Sequence, residues 1–340
     1  MRKMDLFKQN RRFDSDFSDK DASAANNRFG GLILVLFVLI FLALPITGQH
    51  PSTKNHNAEP DLRLFRPSNG VWYSQFGLDE GAFSAVRFGT SDDIPVPADY
   101  DGDGEIDIAV VNTASGVWSI ERTSDNRRVS ITFEKSIGFE DSDQPVPADY
   151  DGDGLADIAF WRPESGVWHI IYSSSKNTIK EITKYLWGNS GDVPVPADYD
   201  GDGFADIAVF RSETNTWHIR NSSNGGTQTH LFGIAGLDTL VPADYTGDGK
   251  ADPAIFRNGS WLVLKSENGK IEQFNFGISD AVPVPADYDG DDEVDFALFR
   301  RGMWYIVESS GTRFIARNFG LEGDVPINSL RGRPSIIGVP

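Results

Sequence analysis

The chain has 340 residues and a formal net charge of −19, with 50 acidic and 31 basic side chains. This excess of carboxylates argues against nucleic-acid binding, which needs clustered lysine and arginine opposite the phosphates. The absence of cysteine excludes disulfides, cysteine-based zinc sites and thiol nucleophiles. The 34 glycines, 18 prolines and 23 phenylalanines combine many turns with many aromatic side chains, which predicts an all-β fold.

The N-terminal region predicts export from the cytoplasm. Residues 1–31 form a polar head, and residues 32–48 contain the apolar run from Leu32 to Leu44. As a helix this run spans about 20 Å, less than the roughly 30 Å of a bilayer core, which fits the h-region of a signal peptide. The alternative is an uncleaved anchor, because the uncharged stretch extends from Phe29 to Gly48. Both interpretations predict a secreted or cell-surface body, with membrane contact only through this segment. Residues 49–60 have the composition of a linker.

One segment recurs along the rest of the chain. The sequence Pro-Val-Pro-Ala-Asp-Tyr-Asp-Gly-Asp-Gly begins at Pro95, and close or weaker copies follow at intervals of 43 to 50 residues. A tryptophan shortly after a turn marks six copies of the unit: Trp72, Trp118, Trp168, Trp217, Trp261 and Trp304. A period of this length with short strands is typical of a propeller.

The unit that begins at Pro145 predicts four strands, which is one propeller blade. They are 145–150, 157–162, 167–173 and 179–187, and the second is apolar on both faces, as a blade between two neighbours requires. Asp61 to Pro67 aligns with the second strand, and Asp324 to Ile327 aligns with the first. The sequence therefore predicts six four-stranded blades over residues 61–330, with the last strand completing the first unit and hiding the ring's edges. Residues 331–340 form a tail.

The loop after each first strand carries the candidate metal ligands. We count positions from the first aspartate of each loop. In the repeated pattern, carboxylates occupy positions 1, 3, 5 and 9, glycine occupies position 6, and position 7 offers a backbone carbonyl. Ca²⁺ takes six to eight oxygen ligands, and alternate carboxylates on a tight loop converge on one point. Four such carboxylates without a cation repel one another by roughly 1 kcal/mol per pair. The predicted ligands are Asp99, Asp101, Asp103, Glu105 and Asp107; Asp149, Asp151, Asp153, Leu155 and Asp157; Asp198, Asp200, Asp202, Phe204 and Asp206; Asp244, Thr246, Asp248, Lys250 and Asp252; and Asp287, Asp289, Asp291, Glu293 and Asp295.

Two of these loops depart from the pattern. The fourth has Thr246 at position 3 and Lys250 at position 7, so we expect weaker binding there. The fifth has Asp292 in place of the glycine at position 6, and aspartate adopts the left-handed conformation less readily than glycine. The sequence thus predicts up to five Ca²⁺ sites. The alternative interpretation of the loops is a set of solvated Asx turns.

These residues resemble the VCBS / FG-GAP repeat family, over residues 61 to about 330. The resemblance rests on Pro-Val-Pro-Ala-Asp-Tyr-Asp-Gly-Asp-Gly, then Asp-Ile-Ala-Val-Phe-Arg, then Gly-x-Trp. It implies a β-propeller similar to the head of integrin α subunits and to certain fungal lectins, with Ca²⁺ in the blade loops. Members of the family act in adhesion, sugar binding or scaffolding, and some are enzymes, so membership alone does not settle function.

The residues favour a non-catalytic binding module for a carbohydrate or an extracellular protein. No catalytic residues are predicted, since His169 and His218 follow the repeated tryptophan in separate units and belong to the repeat. Trp161, Tyr185 and Trp187 break the repeat and are candidates for stacking on sugars, with core packing as the alternative. A purely structural scaffold stabilised by Ca²⁺ and a polysaccharide lyase or hydrolase remain the alternative functions.

Overall fold

The computed structural model describes residues 61–77, 83–133, 140–175, 182–311 and 313–327. These residues form six sheets of four antiparallel strands, as the sequence predicts for a six-bladed propeller. Helix is limited, among the described residues, to the 3₁₀ turn Ser173–Ser175. No helix in this part of the chain is long and apolar enough to cross a membrane. The predicted head, apolar segment, linker and tail lie outside the described residues.

Each blade that carries a predicted metal loop contains four strands that are consecutive in the chain. We number these blades 1 to 5. Blade 1 contains β4 (Ile94–Pro95), β5 (Ile108–Asn112), β6 (Val117–Glu121) and β7 (Arg128–Thr132). Blade 2 contains β8 (Gln144–Pro145), β9 (Ile158–Arg162), β10 (Val167–Ile171) and β11 (Thr183–Leu186). Blade 3 contains β12 (Asp192–Pro194), β13 (Ile207–Arg211), β14 (Thr216–Arg220) and β15 (Thr227–Leu231). Blade 4 contains β16 (Thr239–Leu240), β17 (Ala254–Arg257), β18 (Ser260–Leu264) and β19 (Ile271–Asn275). Blade 5 contains β20 (Val282–Pro283), β21 (Phe296–Arg300), β22 (Met303–Val307) and β23 (Phe314–Asn318).

The sixth sheet, which we call the closing blade, combines the two ends of the described chain. It contains β1 (Leu62–Arg66), β2 (Val71–Gln75) and β3 (Phe83–Arg87), with β24 (Val325–Ile327) paired to β1. The register places Phe65 opposite Val325 and Arg63 opposite Ile327. The predicted ring closure is therefore confirmed.

The first strand of blade 2 is shorter than the predicted 145–150. In blade 2 the ladder covers Gln144–Pro145, and a single bridge joins Ala148 to Asp157 further along. Pro145 and Pro147 have no N–H to donate, so a continuous ladder cannot form through this segment. The predicted fourth strand, 179–187, is observed as Thr183–Leu186, and its first residues lie outside the described part.

The core lies between successive blades. The second strands are buried on both faces, whereas the fourth strands alternate between exposed and partly covered residues and therefore form the outer edges. The six repeated tryptophans are buried in the core, as predicted for packing residues. Trp217, for example, donates its indole N–H to the carbonyl of Phe232 at 2.9 Å. This packing holds the five loops between first and second strands at one end of their blades.

Candidate metal centre

Each of the five loops, which we number 1 to 5 after the blades that contain them, is closed at its base by a backbone bridge. In loop 1 the bridge joins Ala98 to Asp107, which brings position 9 back beside position 1. Carboxylate oxygens from three aspartates of a loop then lie within 4.8 Å of one another in four of the loops. These sets are Asp99, Asp101 and Asp107; Asp149, Asp151 and Asp157; Asp198, Asp200 and Asp206; and Asp287, Asp289 and Asp291. Four acidic clusters can therefore hold a metal ion.

The carboxylate at position 1 organises the loop. Asp99 accepts the N–H of Gly102 at 2.6 Å through Oδ1 and the N–H of Gly104 at 2.8 Å through Oδ2. The equivalent pair of hydrogen bonds recurs in the other four loops. Oδ1 of Asp99 also accepts the N–H of Asp101 at 3.3 Å, whereas Oδ2 keeps lone-pair capacity beyond its bond to Gly104, so the residue can shape the loop and still bind a cation through Oδ2.

The carboxylate at position 9 is completely buried. Asp107 accepts the N–H of Tyr100 at 2.9 Å and the N–H of Thr123 at 2.7 Å. Burial raises the pKa of this carboxyl, and that of Asp157, to about 7. Burial likewise raises the pKa of Asp206 and Asp252 to about 6 and that of Asp295 to about 8. A nearby cation would favour the ionised form and oppose these shifts.

Position 3 carries an oxygen that has no hydrogen-bond partner among the described residues. The side chain of Asp101 is 1% exposed, yet its Oδ1 is buried and accepts no hydrogen bond. The same holds for Oδ1 of Asp151, Asp200 and Asp289 and for Oγ1 of Thr246. A buried acceptor without a partner costs about 1–3 kcal/mol. Its recurrence in each of these loops fits a cation at the point where the carboxylates converge, so the residues present suit a hard metal ion.

The turn after the third strand donates hydrogen bonds to the carboxylates of each loop. The sequence patterns described above do not include these donors. Ser222 donates its N–H to Asp206 at 2.7 Å, and its hydroxyl lies 2.9 Å from both Asp202 and Asp206. Ser223 donates its hydroxyl to Oδ2 of Asp200 at 2.5 Å. The residues equivalent to Ser222 are Thr123, Ser173, Ser266 and Ser309. A regular spacing in the sequence could have identified these donors, because this Ser or Thr follows position 5 by 20 residues in loops 1 to 3 and by 18 in loops 4 and 5.

The two departures predicted to weaken binding have different outcomes. Asp292 adopts the left-handed conformation at φ 67°, and its N–H reaches Asp287 at 3.1 Å, so loop 5 keeps its fold. Loop 4 also keeps its fold, but Thr246 contributes no carboxylate, and loop 4 forms none of the acidic clusters found among the described residues. Weaker binding at Thr246 and Lys250 stays a prediction. The metal-binding role of the position 7 carbonyls, from Glu105, Leu155, Phe204, Lys250 and Glu293, also stays a prediction.

Of the three aromatic candidates for sugar stacking, Trp161 is fully buried in the core between blades 2 and 3, so the alternative of core packing applies to it. The Arg220 guanidinium covers the ring of Tyr185 at 5.3 Å. Trp187 is half-buried and donates its indole N–H to the carbonyl of His218 at 3.0 Å, which joins blades 2 and 3. His169 stacks on Phe160, and burial lowers its pKa to about 4, as a neutral packing residue requires.

A cleft of about 200 Å³ lies between blades 3 and 4, beside loop 3. Apolar side chains, including Ile219 and Leu264, line part of it. Its polar lining includes Asn221, Gln228, His230, Lys250 and Lys265, and Lys265 forms an ion pair with Glu272 at 2.5 Å. Its lining residues come from two repeats, so no local pattern in the sequence predicts this cleft.

Comparison with solved structures finds other propellers. A lectin from Agrocybe aegerita, described as recognising non-reducing terminal N-acetylglucosamine, is 17% identical, with a TM-score of 0.54 over 81% of this chain and 86% of the lectin. Streptogramin B lyase is 10% identical, with a TM-score of 0.50 over 84% of this chain and 88% of the lyase. TolB from Acinetobacter baumannii is 12% identical, with a TM-score of 0.53 over 80% of this chain and 65% of TolB. At these identities the likeness shows the fold alone.

No curated protein sequence matches the chain significantly. The FG-GAP-like repeat family matches it three times, at residues 99–160, 149–209 and 198–255. Two further blades, with loops that begin at Asp244 and Asp287, have the same closing bridge and the same Asx hydrogen bonds. With three matching repeats and a closed ring of six blades, the chain belongs to the FG-GAP repeat β-propeller proteins.

Proposed function

We propose that this protein is an exported calcium-binding β-propeller that acts as a non-catalytic binding module for a carbohydrate or an extracellular protein. The observation that carries the calcium assignment is the buried, partnerless Oδ1 at position 3, which recurs beside the converging carboxylates of Asp101, Asp151, Asp200 and Asp289. A bound cation would supply the missing partner and remove the repulsion within each cluster.

The donor set favours Ca²⁺ among the common metals. All the clustered ligands are carboxylate oxygens, and neither histidine nor cysteine contributes to them. Hard oxygen donors suit Ca²⁺ and Mg²⁺ rather than zinc or copper. Ca²⁺ accepts six to eight ligands in a flexible shell, whereas Mg²⁺ demands near-ideal octahedral geometry. An irregular loop that supplies alternate carboxylates therefore suits Ca²⁺ better.

Two observations support the binding role. The Agrocybe aegerita lectin shares the propeller fold and is described as recognising a sugar. The cleft between blades 3 and 4 has the mixed apolar and hydrogen-bonding lining that suits a small polar ligand such as a monosaccharide. Its position beside Asp200 makes the shape of the cleft depend on loop 3, so ligand binding there would require the metal.

Thermal unfolding of the full chain by calorimetry tests the metal. The unfolding temperature is measured in about 2 mM Ca²⁺, in the same concentration of Mg²⁺ and in excess chelator. We expect a large increase with Ca²⁺ over chelator, because an ion that binds only the folded state stabilises it by mass action. Asp151→Asn should reduce the increase, whereas the matched control Asp141→Asn, at an exposed position outside the loops, should not. An unchanged unfolding temperature on addition of Ca²⁺ would sink the assignment.

A glycan array probed with the full chain, with and without Ca²⁺, then tests the binding role. A calcium-dependent signal that is lost in Gln228→Ala and kept in Gln273→Ala, an exposed residue of β19 outside the cleft, supports binding in the cleft. A stabilised protein that binds no glycan and no extracellular protein would favour the structural scaffold instead.

A further inference from the structure

Neighbouring loops are joined by a backbone hydrogen bond between blades. The residue at position 8 of one loop donates its N–H to the carbonyl at position 1 of the preceding loop. The pairs are Ala156 to Asp99 at 2.7 Å, Ala205 to Asp149 at 2.8 Å, Ala251 to Asp198 at 2.6 Å and Val294 to Asp244 at 3.0 Å. From these contacts we propose that cation binding is positively cooperative among loops 1, 2 and 3 and independent in loop 5. The proposal rests on the calcium sites proposed above.

The coupling element is one planar peptide unit. Its carbonyl belongs to position 7, which is a proposed ligand of its own loop, and its N–H belongs to position 8. The unit between Leu155 and Ala156 reaches the backbone of Asp99 in loop 1 through its N–H, and its carbonyl would be the ligand of a cation in loop 2. A cation at the carbonyl polarises the peptide and strengthens the N–H as a donor, and such an effect is largest in a buried environment. Ala156 is buried.

A side-chain contact reinforces the link. The residue at position 7 lies over the glycine at position 4 of the preceding loop. A Cβ placed on Gly152 would meet Cε1 of Phe204 at 1.8 Å, so the phenyl ring of loop 3 lies directly on the backbone of loop 2. Leu155 lies in the same way over Gly102 of loop 1. Ordering one loop around a cation therefore restricts the backbone next to a ligand of its neighbour, which lowers the entropy that the neighbour loses on binding.

Loop 4 interrupts the series. Thr246 replaces the carboxylate at position 3, and among the described residues loop 4 forms no three-carboxylate cluster. Its Lys250 lies over Gly201 of loop 3, where a Cβ would meet Cγ at 3.0 Å, so a cationic side chain takes the place of Leu155 and Phe204. Because loop 4 is expected to bind a cation more weakly than the other loops, the peptide between Lys250 and Ala251 would have no cation to polarise it while the other sites fill, and loop 5 would be separated from loops 1 to 3.

Loop 1 lies at the other end of the series of linked loops, and it contacts the closing blade through an arginine. No acidic cluster is found in the described residues of the closing blade, and its Arg63 donates Nη1 to the carbonyl of Ile106 at 2.9 Å and Nη2 to Glu105 at 3.1 Å. This side chain fastens loop 1 to the closing blade without a cation. Loops 1, 2 and 3 are therefore a bounded block of three linked sites.

Calorimetric titration of the full chain with Ca²⁺ alone tests the proposal. We expect three ions that bind cooperatively and one that binds independently. Asp151→Asn removes the middle site, so loops 1 and 3 should lose their cooperativity and bind Ca²⁺ about fivefold more weakly, at the lower end of usual coupling strengths. The matched control is Asp289→Asn in loop 5, which should remove one ion and leave the cooperativity of the other three unchanged.

The outcomes separate the coupling from the calcium assignment. Four ions that bind independently, or equal effects of Asp151→Asn and Asp289→Asn, would overturn the coupling while leaving the calcium sites in place. If no Ca²⁺ binds, the proposed metal function fails, and the coupling fails with it. Should Asp151→Asn fail to fold, Asp200→Asn replaces it, and loops 1 and 2 should then bind the two remaining cooperative ions.

Discussion

Arg66 and Asp324 form a two-point ion pair across the seam of the ring. Nε of Arg66 lies 2.7 Å from Oδ1 of Asp324, and Nη2 lies 2.7 Å from Oδ2, although the residues are 258 positions apart. The Asp324 side chain is 2% exposed. A two-point pair between guanidinium and carboxylate is both strong and directional. The last described strand, β24, is three residues long, so this pair adds a side-chain contact to a short ladder at the point where the ring closes.

Arg66→Ala should therefore open the seam. The substitution leaves the buried Asp324 without its guanidinium and should cost about 2 kcal/mol, less than for a fully buried pair because Arg66 is partly exposed. We expect faster amide hydrogen exchange at Val325 and Ile327, which pair with β1. The control is Arg211→Ala, which removes the equivalent pair with Asp192 inside blade 3. Equal exchange at β24 in both variants would contradict a special role for the seam.

The repeated tryptophans differ in one hydrogen bond, which gives a matched pair of substitutions. The indole N–H of Trp217 donates to the carbonyl of Phe232, whereas that of Trp118 is buried beside the Tyr100 side chain and makes no hydrogen bond of ordinary geometry among the described residues. Trp217→Phe leaves a carbonyl unsatisfied and should cost about 1–3 kcal/mol more than Trp118→Phe, since the latter removes a donor whose hydrogen bond is weak. Denaturant unfolding of both variants measures the difference. A larger loss for Trp118→Phe would contradict this account.

Thr246→Asp should give loop 4 a metal site. The substitution restores the carboxylate that loops 1, 2, 3 and 5 have at position 3, beside Asp244, whose hydrogen bonds already match the other loops. At a Ca²⁺ concentration too low to fill the weaker loop 4 of the unmodified chain, we expect bound Ca²⁺ to rise from four to five ions per chain by equilibrium dialysis. The isosteric control Thr246→Val should keep four. A count that stays at four in Thr246→Asp would show that Lys250, rather than the missing carboxylate, prevents binding in loop 4.

Without metal, the free energy of unfolding should decrease as pH rises. Burial raises the pKa of Asp107 to about 7 and that of Asp295 to about 8, above the value of about 3.9 for an unfolded chain. Between these values the folded state binds more protons than the unfolded state, so its stability falls as pH rises from about 4 to about 8. Ca²⁺ binds the ionised carboxylates, so the stabilisation by Ca²⁺ should grow over the same interval.

Calorimetry at several pH values between about 5 and 8, with Ca²⁺ and with chelator, measures both trends. In chelator, Asp295→Asn should flatten the fall, because a neutral side chain then replaces the carboxyl whose pKa is raised most. A calcium-induced shift that shrinks toward pH 8 would contradict the expected linkage.

Much of the architecture could be predicted because it repeats. The interval between copies of the loop defined the blade, and the alignment of Asp61 and Asp324 with the repeat predicted the closing blade. The metal ligands at positions 1, 3, 5 and 9 could be proposed for a similar reason, since local spacing alone makes alternate carboxylates converge. Where the repeat was broken, the sequence left alternatives open. Trp161 is an example, because residue type alone does not distinguish an aromatic side chain that packs in a core from one that is exposed for stacking on a sugar.

The sequence by itself determined the all-β class, the number of blades and the acidic loops, since these follow from local periodicity and residue type. Only the tertiary structure decided which residues of different segments contact one another. The bracing of Asp202 by Ser222, the bond from Ala156 to Asp99, the cleft between blades 3 and 4 and the orphaned Oδ1 of Asp101 all depend on packing between segments distant in the chain. Local spacing carries no information about such contacts, because the closure of the whole ring sets their distances.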